Sequence, residues 1–331
     1  MELTSEQAKV LQSIRRVKRA AILGGAGTGK TLLAVEKARQ LAAAGFRTVL
    51  LCFNAPLRSH LTTVLEASGV EVETFHTLTA REARCAGFHI PSQPPGEWYE
   101  TGAPRLLTQA AFANGTRYDA VLIDEAQDFG PEWLLCAQSL LRDAEASVLY
   151  LFADTHQDLY RRGWSIPPGM VEIELTINCR NTRPIAERVA LIFGDVVAGK
   201  PPDGPQPKFI EIARNQQIVP YAVGVVESLV LEEGLRTDQI IVLTNSANTV
   251  SELRETGVGG HLFTTLEGYG IPVETVFRFK GLEREVVVLA LIDRAPMDDL
   301  SALLYVGLSR ARAALYIVGS SDLKRAIKWN E

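Results

Sequence analysis

The stretch GGAGTGKT (24–31) fits the spacing G-x-x-x-x-G-K-[S/T] and stands between an apolar run, AAIL, and a helical one, TLLAVEKARQLAAAG. That order of residue types has a direct chemical use. The backbone N–H groups of Gly25, Ala26, Gly27, Thr28 and Gly29 can curl around phosphate oxygens. Lys30 reaches the outer phosphates, and the Thr31 hydroxyl ligates a magnesium ion at a helix N-terminus. A glycine-rich turn without function is the plain alternative. A second segment, AVLIDEAQD (120–128), ends an apolar run in two carboxylates. Asp124 stands where a magnesium-holding acid belongs, and Glu125 can take a proton from an attacking water. Alone, such a pair is often just a helix cap. FADTHQD (152–158) ends a third run and brings Asp154 and Gln157 toward the same edge. Gln157 reads as a sensor of the outer phosphate or a positioner of water, against the plain reading of a loop residue.

Transfer of a phosphoryl group develops charge that such a loop only partly neutralises, and an arginine supplies the rest. LLYVGLSRARAALYIVG (303–319) offers Arg310 and Arg312 among residues otherwise small or apolar. Read as two apart on one helix, they point to nearly opposite sides, so one serves and the other does not. The bland alternative is a solvated helix face. Arg180, in LTINCRN (175–181), is a further candidate.

These residues need a scaffold, and 331 residues exceed one ordinary core, so two domains are expected. Apolar residues make up 47% and charged residues 22%, the composition of a soluble globular protein. The longest apolar run, Val286 to Ile292, suits a buried strand and falls well short of the roughly 20 residues that span a bilayer. MELTSEQAKV lacks an apolar signal core. Cys52, Cys85, Cys136 and Cys179 have no metal-type spacing and read as reduced thiols, so a cytoplasmic protein without membrane association is expected. A net charge of −5 argues against indiscriminate nucleic-acid coating but is compatible with a local basic groove.

Strands alternate with helical stretches, the pattern of open parallel sheets covered on both faces. The first half offers strands at 20–23, 47–53, 72–75, 120–124 and 147–154; the second at 208–212, 239–244, 272–277, 285–292 and 314–318. The two sets part near PPGMVEIEL (167–175), which divides the chain into domains 1–172 and 173–331. The stretches 85–118 and 196–207 are rich in Pro and Gly and read as surface loops.

In this order the segments resemble the core of a superfamily 1 helicase of the UvrD/Rep type, over nearly the whole length. LTSEQAKVL (3–11) is similar to the family's Q motif, GGAGTGKT to motif I, LLCFNAPL (50–57) to motif Ia and TFHTL (74–78) to the short motif after it. IDEAQD (123–128) resembles motif II, FADTHQDLY (152–160) motif III, LTINCRN motif IV, ETVFRFKGLE (274–283) motif V and LLYVGLSRAR (303–312) motif VI. The resemblance implies an α/β fold of two tandem RecA-like parallel-sheet domains, a P-loop NTPase with its nucleotide site in the cleft between them. It implies ATP and Mg²⁺ as cofactors. Gln7 would read the adenine edge, Glu283 would take the ribose hydroxyl, and Arg180 and Arg310 would be the arginine fingers, leaving Arg312 structural. Phe53, Asn54, His76, Thr275 and Lys280 would face the nucleic acid or couple to it. Stacking on Phe53 makes physical sense because every base has a π-face; a core aromatic at a strand end is the alternative. Arg58, His60, Arg81, Arg84, Arg161 and Arg162 would form a phosphate-tracking stripe, or be separate solvated charges.

Three departures stand out. Cys179 replaces the aromatic that the family places before its motif IV arginine, so adenine selectivity leans on Gln7. Phe277 replaces a motif V histidine. The large helical insertions of the family have little room here, which resembles the compact variants joined to nuclease domains. Met1 lies close to the Q motif, leaving an upstream partner domain to be expected outside these residues. The implied activity is an ATP-dependent helicase or translocase on single-stranded DNA, moving 3′-to-5′ by family resemblance alone, with RNA as the alternative strand. The competing readings are a nucleic-acid-stimulated ATPase without strand separation, a nucleotide-dependent module partnering a nuclease, and a small-metabolite kinase, in which motifs Ia, V and VI would have no role.

Overall fold

The structure, a computed structural model, describes residues 3–154, 164–193, 199, 201–293 and 297–329. It divides into two compact units, Met1–Thr176 and Ile177–Glu331.

The first unit is built on strands β1 (Arg19–Gly24), β2 (Thr48–Cys52), β3 (Glu71–Thr74), β4 (Ala120–Asp124), β5 (Val148–Ala153) and β6 (Val171–Leu175). They run parallel in the order β3-β2-β4-β5-β1-β6. Strands β2, β4 and β5 are buried along their whole length, because crossover helices cover both faces of a parallel sheet. The helices of this unit are α1 (Ser5–Ser13), which precedes β1, and α2 (Lys30–Ala43), α3 (Ala55–Val64), α4 (Phe75–Cys85), α5 (Ala103–Ala113) and α6 (Pro131–Ser139) between the strands. Their starts are written in the sequence: Thr4, Asn54 and Thr74 each cap the first turn that follows with a side-chain oxygen. On one face, Val49, Leu51, Val121, Ile123, Leu149 and Leu151 pack against Leu107 of α5 and Trp133 of α6.

The second unit has β7 (Lys208–Ile212), β8 (Ile240–Thr244), β9 (Gly257–Val258), β10 (His261–Thr264), β11 (Ile271–Thr275), β12 (Arg284–Ala290) and β13 (Ala311–Ser320), in the order β7-β13-β12-β8-β11-β10-β9. All neighbours are parallel except β9 with β10. Helices α7 (Arg183–Phe193), α8 (Ile218–Glu227), α9 (Ala247–Arg254), α10 (Met297–Leu308) and α11 (Ser321–Ala326) complete it. Among the described residues, no helix is long and apolar enough to cross a membrane.

The α/β class and the two parallel-sheet domains expected from the sequence are both present. Four local expectations need correction. Residues 85–118 are not simply a loop, since α5 lies there with Ala103, Leu107, Ala110 and Ala111 buried. Strand β6 was not anticipated; its exposed glutamates mark an edge strand, and its pairing with β1 keeps it in the first unit. The β9–β10 hairpin was missed as well, although Gly259 and Gly260, at φ of +58° and +84°, supply the left-handed pair a tight turn requires. Finally, α10 ends at Leu308, so Arg310 lies in the turn that follows and Arg312 in β13, not together on a helix. The stretch 196–207 lies partly outside the described residues.

Candidate active site

The carboxyl ends of β1, β5 and β4, three successive neighbours in the sheet, bring the first set of candidates together. The loop after β1 turns through Gly27 and Gly29, at φ of +80° and +85°, a backbone region open to glycine at little cost. A side chain at Gly24 would crowd the Leu175 carbonyl and the Thr28 hydroxyl. Lys30 is buried at the start of α2, where its Nζ donates to the carbonyls of Gly24 at 2.7 Å and Gly25 at 2.9 Å. It also forms an ion pair with Asp154 Oδ2 at 3.3 Å.

Thr31 Oγ1 donates to Asp124 Oδ2 at 2.8 Å. Burial, followed by the neighbouring charge of Glu125, pushes the Asp124 carboxyl up to about 7, against the opposing pull of Thr31 and Lys30. A buried carboxylate beside a second carboxylate and a hydroxyl is a hard-oxygen donor set that suits Mg²⁺. No cluster of three or more His, Cys, Asp or Glu able to hold a metal occurs among the described residues.

Glu125 sits at φ 55°, ψ 45°, a left-handed conformation unusual for a residue with a side chain. Gln127, which sequence reasoning missed, explains how its carboxylate is held. The amide Nε2 donates to Glu125 Oε2 at 2.6 Å, while its Oε1 accepts from the Asp154 backbone N–H at 3.0 Å. The one available signal was a polar residue two positions after the acid in a segment otherwise buried. Gln7 also reaches this region: its amide donates to the Thr28 carbonyl at 3.0 Å and its oxygen accepts from Thr4 N in the cap of α1. Gln157, Arg161 and Arg162 lie outside the described residues.

In the second unit, Arg180, Glu283, Arg310 and Arg312 converge. Asn181 Nδ2 donates to the carbonyls of Ser309 and Ala311 at 3.1 and 2.6 Å, and Thr182 N donates to Arg312 O at 3.0 Å. Asn181 and Thr182 are thereby laced to the turn after α10 and the start of β13. Arg180 Nε donates to Glu283 Oε2 at 2.5 Å. Arg312 pairs with Glu283 at 3.6 Å and with Glu285 at 3.4 Å. Burial alone would raise the Glu283 carboxyl, but Arg180, Arg312 and Arg310 outweigh it and hold the group below its ordinary value. Arg310, 1% exposed, donates to the carbonyls of Val306 and Leu282 and to Ser309 Oγ.

The candidates for strand contact are spread over both units. Phe53 is half-buried and stacks toward Trp133 at 6.5 Å between centroids. Asn54 Oδ1 caps α3 by accepting from Leu57 N, and His76 is exposed at the start of α4. Arg58 is paired with Glu73 at 2.8 Å, while Arg81 meets Glu71, Glu73 and Glu82. These two arginines thus bind carboxylates of their own unit; His60 and Arg84 are exposed. Thr275 ends β11, and Lys280 is buried.

Residues 7–162 match the AAA domain family, and residues 271–318 match the UvrD-like helicase C-terminal domain family. Together the two matches span more than half of the chain. No curated protein matches it. Among solved structures, the PRRSV helicase is similar at 14% identity and a TM-score of 0.48, over 95% of this chain and 55% of that one. Arterivirus nonstructural protein 10, a helicase, is similar at 13% identity and a TM-score of 0.47, over 98% of this chain and 64% of that one. The chain therefore spans less than two thirds of either protein.

Proposed function

We propose that the chain is an ATP-driven motor of the UvrD-like superfamily 1 type that moves along single-stranded DNA, in the 3′-to-5′ direction, a reading supported by its matches to an AAA domain and to a UvrD-like helicase C-terminal domain. The observation that carries this reading is the arrangement at the carboxyl edge of the first sheet, where Lys30, the Thr31–Asp124 pair and a Glu125 fixed by Gln127 stand together. Lys30 would exchange its loop carbonyls for the β- and γ-phosphates, and the N–H groups of Gly25 to Gly29 would cradle the remaining oxygens. Thr31 and Asp124 would hold Mg²⁺, which neutralises phosphate charge when bound. Glu125 accepts the proton of the attacking water, and the Gln127 amide keeps its carboxylate aimed.

Arg180 and Arg310 supply charge to the phosphoryl group as it transfers, and Gln157 positions water. Gln7 and Glu283 hold the adenine and ribose ends of the nucleotide. The hydrogen bond from the Gln7 amide to the Thr28 carbonyl also supports a role in bracing the loop. Phe53, Asn54, Arg58, His76, Thr275 and Lys280 form the strand path. Residues 75–119 fold as α4, a turn and α5, a small feature between β3 and β4. That economy favours translocation without strand separation, alongside a nuclease partner, as the second reading.

Displacement of streptavidin from biotinylated oligonucleotides tests the proposal. ATP-dependent displacement from the 5′ end and not the 3′ end is expected. Displacement from the 3′ end alone contradicts the polarity, and none from either end contradicts translocation.

A further inference from the structure

Beyond the segments that carry the family resemblance, one aromatic side chain is held in place with unusual care. Tyr99 belongs to the turn Trp98–Gly102 that leads into α5, and its side chain is 37% exposed. Its ring meets His76 edge-on at 5.2 Å, and His76 meets Trp133 edge-on at 4.9 Å. Trp133 is buried, stacked on Phe75 at 4.2 Å with 11° between planes, and its indole N–H donates to the Tyr99 carbonyl at 2.8 Å. On the other side Trp98 packs edge-on to Tyr99 at 5.3 Å. A Cβ at Gly102 would overlap the Trp98 indole, so only glycine lets that ring fold back against the turn.

Three elements thus fix a row of rings whose inner members are buried and whose outer members, His76 and Tyr99, reach solvent. A tyrosine placed by chance on a surface turn has no need of such support. The row also sits at a meaningful place. His76 follows β3 and Phe53 follows β2, so the rings gather at the same carboxyl edge that carries Lys30, Asp124 and Glu125. Phe129, four residues beyond Glu125, meets Trp133 edge-on at 5.4 Å and ties the row to the chain leaving that acid.

We propose that Tyr99, contributed by a segment outside the family's motifs and braced by His76, is a base-stacking platform for single-stranded nucleic acid. The inference rests on the motor reading above. Its chemistry is aromatic contact: a rigid ring presents a π-face that accepts any base, so the contact is strong but blind to sequence. Because the contact is not ionic, it adds to affinity without adding to the number of phosphates neutralised.

The test is binding of fluorescein-labelled oligo(dT), with oligo(U) as a second probe, to the full chain across a range of salt. Tyr99→Ala is expected to weaken binding by about 5- to 150-fold, the range one stacked base supplies, with the salt slope unchanged. Tyr99→Phe should bind like the wild type. Tyr99→Leu keeps apolar contact with His76 and Trp98 while removing the π-face, so it should bind as weakly as Tyr99→Ala even where its melting temperature is preserved. Wild-type affinity in a folded Tyr99→Leu overturns the platform and leaves the motor reading intact. A loss accompanied by a shallower salt slope also overturns it, since that assigns Tyr99 to phosphate. If the wild type binds neither probe at low salt, the motor reading fails and the platform with it. Equal loss for both probes supports a platform for either sugar, and loss for one alone restricts it to that strand.

Discussion

Arg180 and Glu283 are joined by a hydrogen-bonded ion pair of 2.5 Å between Nε and Oε2, although about a hundred residues separate them in the chain. Glu283 faces Arg312 as well, so the proposed ribose ligand holds one proposed finger, Arg180, and the arginine read as structural with a single carboxylate. A carboxylate held below its ordinary value stabilises the fold above the unfolded pKa and loses that contribution as pH falls through the folded one.

The pH dependence follows from that sign. Glu283 in the unfolded chain titrates near 4.5, so its contribution should be whole at neutral pH and decline below that value. Thermal melting should show the wild type above Glu283→Gln at neutral pH, with the gap closing under acid. Because the side chain is 30% exposed, solvent screens the pair and the gap should be small. A gap that widens under acid contradicts the assignment.

Gln127 should act through Glu125 and not through the nucleotide. Gln127→Leu leaves the Glu125 carboxylate without its amide donor and the Asp154 N–H without its acceptor. Turnover should fall by about tenfold or more while ATP affinity stays near that of the wild type, since loss of positioning affects the proton transfer. Rate measurements at saturating ATP beside equilibrium binding separate the two. A parallel loss of affinity would place Gln127 in contact with the nucleotide instead.

Lys30 and Glu125 should separate binding from chemistry. Lys30→Ala should nearly abolish hydrolysis and weaken ATP binding, because it removes the cation proposed to meet the phosphates. Glu125→Gln keeps volume and hydrogen-bonding reach, so ATP should bind near normally and turn over about 10²-fold or more slowly. Isothermal titration with single-turnover hydrolysis reads both. Binding lost together with turnover in Glu125→Gln would give Glu125 a structural role.

The arginines at the end of the second unit should behave differently from each other. Arg310→Ala should lower turnover by roughly 10³-fold with a smaller effect on ATP binding, since the charge it meets develops in the transition state. Arg310 also donates to the Val306 and Leu282 carbonyls, so Arg310→Ala should lower the melting temperature too, and Arg310→Lys serves as the charged control. Arg180→Ala should resemble it, and the double variant should be less than additive. Arg312→Ala should change turnover little. Equal losses at 310 and 312, with folding intact, would contradict the choice of Arg310.

Much of the scaffold was legible because buried parallel strands such as TVLLC and VLYLFA read as continuous apolar runs. The glycines and Lys30 of the first loop declare themselves for the same kind of reason: φ near +80° and a buried cation leave little choice of residue. Strand β6 was hidden because an edge strand tolerates the exposed glutamates of VEIEL. Helix α5 was hidden behind the PSQPPGEW turn, whose prolines dominate the local pattern. Arg310 and Arg312 illustrate a limit of another kind. Periodicity carried the helix through them, whereas the chain leaves it at Leu308 to start β13. Tyr99 and the lacing through Asn181 depend on contacts made far along the chain, and no local spacing announces them; Gln127 has its weak local signal, but its bond to the Asp154 N–H is equally distant in sequence.

The central claim is that phosphate chemistry at Lys30 and Glu125 serves a motor on single-stranded DNA. The most direct measurement is steady-state ATP hydrolysis with and without a saturating single-stranded oligonucleotide, at low and moderate salt. Hydrolysis should rise severalfold or more with the strand, and the strand concentration giving half-stimulation should increase steeply with salt, because binding relies on phosphate contacts. Hydrolysis that is indifferent to the strand, in a protein that shows no strand affinity at low salt, would contradict the account.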